Sequence, residues 1–149
     1  MNIKKKHVRQ VLDALKPLKL QKISDTKFRK TIVNNYVALS MAWNKIQEEE
    51  KALREAHLGA LEEEQDEVVK LQQELQLERN VEKQLEILRS INKKKAVLDA
   101  MRNFGKDVAE YENQEIEIAG IPQDKLIEAV QAQDFDLGVI EVLMPVFCN

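Results

Sequence analysis

Apolar residues in this chain recur mostly three and four apart, the period of helices that each bury one face. Val8, Val11, Leu12 and Leu15 set out a short helix within His7 to Leu15, and Pro17 pushes Lys16 out of helical geometry and ends it. Leu18 to Ile23 alternates like a half-buried strand or an extended loop. Ser24, Asp25 and Thr26 can each accept hydrogen bonds from exposed backbone N–H groups, so a new helix is expected at about Thr26. From there Phe28, Ile32, Tyr36, Leu39, Trp43, Ile46 and Leu53 trace one stripe. The helix that carries it has about 30 residues and is roughly 45 Å long.

Gly59 favours a break, and the acidic run Glu62 to Glu67 beside it reads as an exposed bend or tip. A second narrow stripe follows through Val68, Leu71 and Leu75, then Val81, Leu85, Leu88, Ile91, Leu98, Met101, Phe104, Val108 and Tyr111. Two narrow stripes predict an antiparallel helical hairpin, residues 26–57 against about 80–112; the alternative is one helix running through Gly59 and turning near Arg79 and Asn80. Gln114 to Ile121 changes period and reads as a short strand stopped by Gly120 and Pro122. Its expected partner is Leu18 to Ile23 or the same segment of a second subunit. Gln123 to Val130 reads as a short helix, Asp134 to Asp136 as a turn, and Gly138 to Val146 as a final helix ended by Pro145. That last helix is apolar over most of its circumference and must be buried, within the chain or against a partner. The expected fold is mainly α: a long, coiled-coil-like antiparallel hairpin with a short β segment and a C-terminal apolar helix. It forms a single domain over 1–149, divided into 1–25, 26–113 and 114–149.

With 149 residues, 33% of them charged and 5% aromatic, the chain has material for one small core and none to spare for a large enzyme cleft. The lone thiol, Cys148, excludes an internal disulfide framework and a cysteine-based zinc site, which fits a reducing, intracellular setting. No apolar run approaches the roughly 20 residues that cross a bilayer, so no membrane partner is expected. Charge falls in blocks: residues 1–30 hold ten Lys or Arg against two Asp, whereas residues 48–67 hold nine acids against Lys51 and Arg54. Residues 83–106 are again basic and the remainder acidic. Such blocks read first as solvated helix faces, and secondly as recognition of one segment by another. Because they alternate, they argue against nucleic acid as the partner.

Phosphate loops, dinucleotide fingerprints and nucleophile elbows are excluded by the four scattered glycines. His57 is expected to be solvated at the hairpin tip, and no Glu-x-x-His pair suggests a di-metal site; neither catalytic residues nor a metal or cofactor are expected. One cluster stands out: Lys27, Phe28, Arg29, Lys30, Asn34, Asn35, Tyr36 and Trp43. The aromatic members read first as core. In a hairpin, however, Lys27, Arg29 and Lys30 would share an end with Lys93 to Lys95 and Arg102. The acidic tail or an anionic ligand, with phosphates on Arg29, Lys30 and Arg102 and a base on Tyr36, would offset that crowding. Ile116, Ile118, Val139, Ile140 and Leu143 are the candidate oligomer interface.

The order of segments resembles a group of small bacteriophage proteins of unknown function. The residues that carry it are Ser24 to Arg29 opening a long helix, Glu115 to Pro122, and Leu143 to Phe147. It covers roughly residues 8–55 and 95–147, with 59–90 as an extension. The resemblance implies a phage product with a helical hairpin and a small β element, found in the host cytoplasm or the virion, and transfers no activity. The expected function is accordingly non-enzymatic: a homo-oligomeric, stoichiometric inhibitor of host defence that masks a protein or sequesters an anionic, nucleotide-like signal. The alternative is a virion or assembly component that uses the hairpin as a spacer.

Overall fold

A computed structural model describes residues 1–131 and 137–147; the side chain of Ile140 and the expected turn at 134–136 lie outside the described residues. The protein is mainly α, 82% helical, with one small antiparallel sheet. It comprises two compact units, residues 1–48 with 111–149 and residues 49–110. No helix among the described residues is long and apolar enough to cross a membrane.

In the first unit α1 (Val8–Leu15) buries Val8, Val11, Leu12, Ala14 and Leu15, the stripe that the sequence spacing sets out. Leu18 to Ile23, expected as a half-buried strand or an extended loop, is a non-strand connection that contains a 3-10 turn, Leu20–Lys22. A tight turn with three residues per revolution brings Leu20 and Ile23 to the same side, and both contribute to the core. Helix α2 (Thr26–Leu58) starts where the polar triplet predicts. Of the three candidates Asp25 is the cap: its Oδ1 accepts from the Phe28 N–H at 2.9 Å, and Lys125 lies 3.6 Å from its other oxygen.

The bond from Phe28, reinforced by Lys125, holds the Asp25 carboxyl below the usual carboxylate range. The stabilisation is therefore complete above the ordinary pKa and lost as pH falls through the lowered one. Asp25→Ala is expected to unfold at lower urea than the native chain at pH 7, and the gap should narrow in acid as the native carboxyl takes up its proton. Asp25→Asn keeps the cap and should retain most of the difference.

Strand β2 (Glu115–Glu117) lies in the first half of its expected segment, and its partner within the chain is not Leu18 to Ile23. It pairs antiparallel with β1 (Asn2–Lys4), Ile3 facing Ile116 and Lys4 facing Glu115. Main-chain bonds from Lys5 N to Gln114 O (2.9 Å) and from Ile118 N to Met1 O (2.8 Å) extend the pairing at both ends. Just beyond, Asn35 of α2 takes over as a surrogate strand. Its side-chain NH2 donates to the Ala119 carbonyl at 2.8 Å, and its Oδ1 accepts from the Ala119 N–H at 3.2 Å.

Helices α6 (Gln123–Gln131) and α7 (Leu137–Phe147) close this unit, α7 packing on α1 and α6. Pro145 does not end α7, which continues to Phe147. In a last turn the ring forfeits only one hydrogen bond, which the terminal geometry tolerates.

The second unit holds the end of α2, a 3-10 turn at Gly59–Leu61, and helices α3 (Glu62–Leu77), α4 (Val81–Lys93) and α5 (Lys95–Glu112, its last two residues in the first unit). Gly59 does not reverse the chain: helical structure runs 52 residues, interrupted only by that 3-10 turn. The hairpin expected to fold at residues 59–79 therefore turns at Glu78 to Asn80, and Glu67 of α3 meets Lys94 beyond the end of α4.

Side chains build that turn. Glu78 accepts from the N–H groups of Asn80 (2.9 Å) and Arg79 (3.0 Å), while Asn80 caps α4 through Glu82 N (3.0 Å) and Lys83 N (3.2 Å). The Asn80 bond, with that of Arg79, lowers the Glu78 pKa. Val68, Ile91 and Val97 form a separate small core, with Leu71, Leu75 and Ile87 against it.

Candidate functional site

Among the described residues, nine large apolar side chains are exposed, and eight of them fall into two groups. Val33, Tyr36, Val37 and Met41 lie on α2 in the first unit; Leu77, Val81, Leu85 and Leu88 lie on the α3–α4 hairpin in the second. Scattered exposure is ordinary, whereas grouping marks contact surfaces.

The α2 group forms because α2 is apolar on two sides. Phe28, Ile32, Leu39 and Ile46 face the core. At about 100° per residue, Val33, Val37 and Met41 make a second row on the opposite side, with Arg29 and Tyr36 along one edge, Lys27 along the other and Lys30 within the same arc at its amino-terminal end. Met41 is 69% exposed and Val37 51%. Beside Tyr36 an open cleft of about 160 Å³, lined by Leu15, Lys16, Leu18, Leu20, Ile32 and Val33, extends the apolar surface toward the loop after α1. The result is a greasy strip with cations at its borders, the chemistry that receives an amphipathic segment carrying acidic residues.

Of the residues expected to hold an anion, Arg29 and Lys27 border the strip on opposite sides with Lys30 between them, Tyr36 lies beside Arg29, and the guanidinium of Arg102, in the second unit, is 3.2 Å from Asp99. Lys94 is likewise paired, with Glu67, whose carboxyl it holds below the usual range. Tyr36, expected in the core stripe, is 38% exposed, and its neighbour Asn35 turns inward in its place.

The candidate oligomer interface is largely interior. Ile118 and Leu143 are buried in the first unit's core, and Ile116 and Val139 are half-buried against it; Ile140 lies outside the described residues. Among the described side chains of α7, Leu143 is buried within the chain.

His57, expected to be solvated, is half-buried, with Nε2 2.6 Å from Asp107 and its ring centroid 6.4 Å from that of Phe104. The sequence reading missed this pair because the two residues are 50 positions apart. It fastens the end of α2 to α5 within the second unit. No group of three or more His, Cys, Asp or Glu able to hold a metal occurs among the described residues. The chain matches no protein-family model, no curated protein and no solved structure.

Proposed function

We propose that this chain is a non-enzymatic, phage-encoded interaction protein, a stoichiometric inhibitor that masks a host defence protein through the outer face of α2. The observation that carries the reading is the apolar row Val33, Val37 and Met41, exposed on a helix whose other side is already packed, with Arg29 and Lys27 on its borders and Lys30 at its amino-terminal end. A partner that presents an acidic amphipathic helix satisfies both features, since its apolar side covers the row and its carboxylates meet the borders. Masking is favoured over sequestering a small anion because the cations flank a strip instead of converging on one enclosed point. The resemblance in segment order supplies the phage context.

The test is plaque formation on bacterial strains that each carry one defence system, with the native chain or a variant expressed beforehand. On the strain whose system is the target, the native chain should restore plaquing, and Val37→Glu should abolish the rescue. A buried hot-spot position is worth about 2 kcal/mol or more, roughly 30-fold in affinity. Arg29→Glu with Lys30→Glu should weaken rescue, while the thermal midpoints of both variants stay near native. Failure to restore plaquing on any strain, or recovery of the chain from purified virions, overturns the inhibitor reading. Retention of a nucleotide by the native protein under gentle mass measurement would transfer it to sequestration.

A further inference from the structure

The second exposed group supports an inference that goes beyond this function and uses none of its residues. Helix α4 also has two apolar sides. Ile87 and Ile91 face α3, while Val81, Leu85 and Leu88 point outward, 67%, 49% and 40% exposed. Their spacing of four and three is the seam of a coiled coil, and Leu77 at the turn, 82% exposed, extends the apolar surface at one end.

We propose that two copies of this chain pair through the outer face of α4, antiparallel about a two-fold axis. The charges that border the seam select this occupant. With Leu85 packed against Leu88 of the second copy, and Leu88 against its Leu85, the antiparallel register places Glu82 beside Arg89 of the other copy, and the symmetry repeats that pair. A parallel arrangement sets each residue level with its own equivalent and forms neither ion pair. The face is thus complementary to itself in one orientation, as an isologous contact requires. Asn92, next along the seam, faces Val81 at each outer layer, and both are exposed, so the polar group remains wet at the rim.

The measurement is molar mass of the full chain against concentration by sedimentation or light scattering. The native chain should approach twice its 17.2 kDa mass by about 100 µM. Leu85→Glu should weaken association at least tenfold, about 1.4 kcal/mol, with an unchanged helical spectrum because the side chain is already half in solvent. Glu82→Arg alone and Arg89→Glu alone should each weaken it by placing like charges together, and the double exchange Glu82→Arg with Arg89→Glu should restore it. A native chain that stays at single mass, or a dimer that survives Leu85→Glu, overturns the proposal. A dimer lost in both single reversals and not restored in the double overturns the antiparallel register. Since Val37→Glu leaves this face intact, failure of the α2 reading and failure of this one register in different variants.

Discussion

Leu143→Ala is expected to destabilise the first unit by about 2–5 kcal/mol, the range for emptying a leucine-sized space in a packed core. Leu143 is fully buried, on the side of α7 that meets α1 and α6, where Val8, Val11 and Leu126 are also fully buried. The cavity has walls from three helices and cannot collapse without moving one of them. The midpoint of urea unfolding should fall while the molar mass at any given concentration stays as in the native chain. A change in mass with little loss of stability would return Leu143 to the intersubunit role that its apolar helix first suggested.

Asn35 should be almost as sensitive, for a polar reason. Its amide satisfies both main-chain groups of Ala119, and at 2% exposure no other group of Asn35 reaches solvent to compensate. Asn35→Leu removes donor and acceptor together and should cost about 1–3 kcal/mol, the net worth of two hydrogen bonds. Asn35→Asp is more informative. Ionised, it keeps an acceptor for the Ala119 N–H but sets a carboxylate against the Ala119 carbonyl oxygen; protonated, it can donate again. Its folded-state pKa must therefore lie above the ordinary value, so the folded form binds the extra proton and stability falls as pH rises through that interval. Unfolding followed at pH 7 and at about pH 4 should show the deficit of Asn35→Asp shrinking in acid while that of Asn35→Leu does not. Equal deficits at both pH values would mean that the amide does not bridge to Ala119.

These two residues also mark what could and could not be read from the sequence. Periodicity located α1, because it buries one face and the spacing records it; the capping triplet Ser24 to Thr26 located the start of α2, and the apolar run from Gly138 located α7. Within α2 it identified Phe28, Ile32, Leu39 and Ile46 but also drew in Tyr36, since an apolar residue on the edge of a stripe has the same spacing whether it turns in or out. The reversal at Glu78 to Asn80 was legible only as an alternative. Gly59 is the more conspicuous residue, yet Asn80 directly before Val81 and Glu82 is the stronger helix-start signal, and Glu78 completes the turn. Strand β1 left almost no trace, because three residues with one apolar member, Ile3, carry no period. The Asn35 to Ala119 bridge joins positions 84 apart, and local pattern holds nothing about such distances. As for the candidate surface, the sequence singled out Arg29, Lys30 and Tyr36 but grouped them as a pocket. Their separation round α2 becomes visible only once its inward face is fixed, and the row Val33, Val37 and Met41 then emerges as the centre.

The first unit is assembled from both ends of the chain, with the second unit's residues lying between them in sequence. Its sheet joins positions 113 apart, whereas the ion pair closing the α3–α4 hairpin spans only 27. During synthesis the hairpin has all its partners as soon as it leaves the ribosome, but α1 and the amino half of α2 must wait, apolar faces uncovered, until α6 and α7 emerge. That interval is when the nascent protein is most dependent on chaperones, and a stalled or prematurely terminated message would release a fragment with a finished hairpin and an unfinished body.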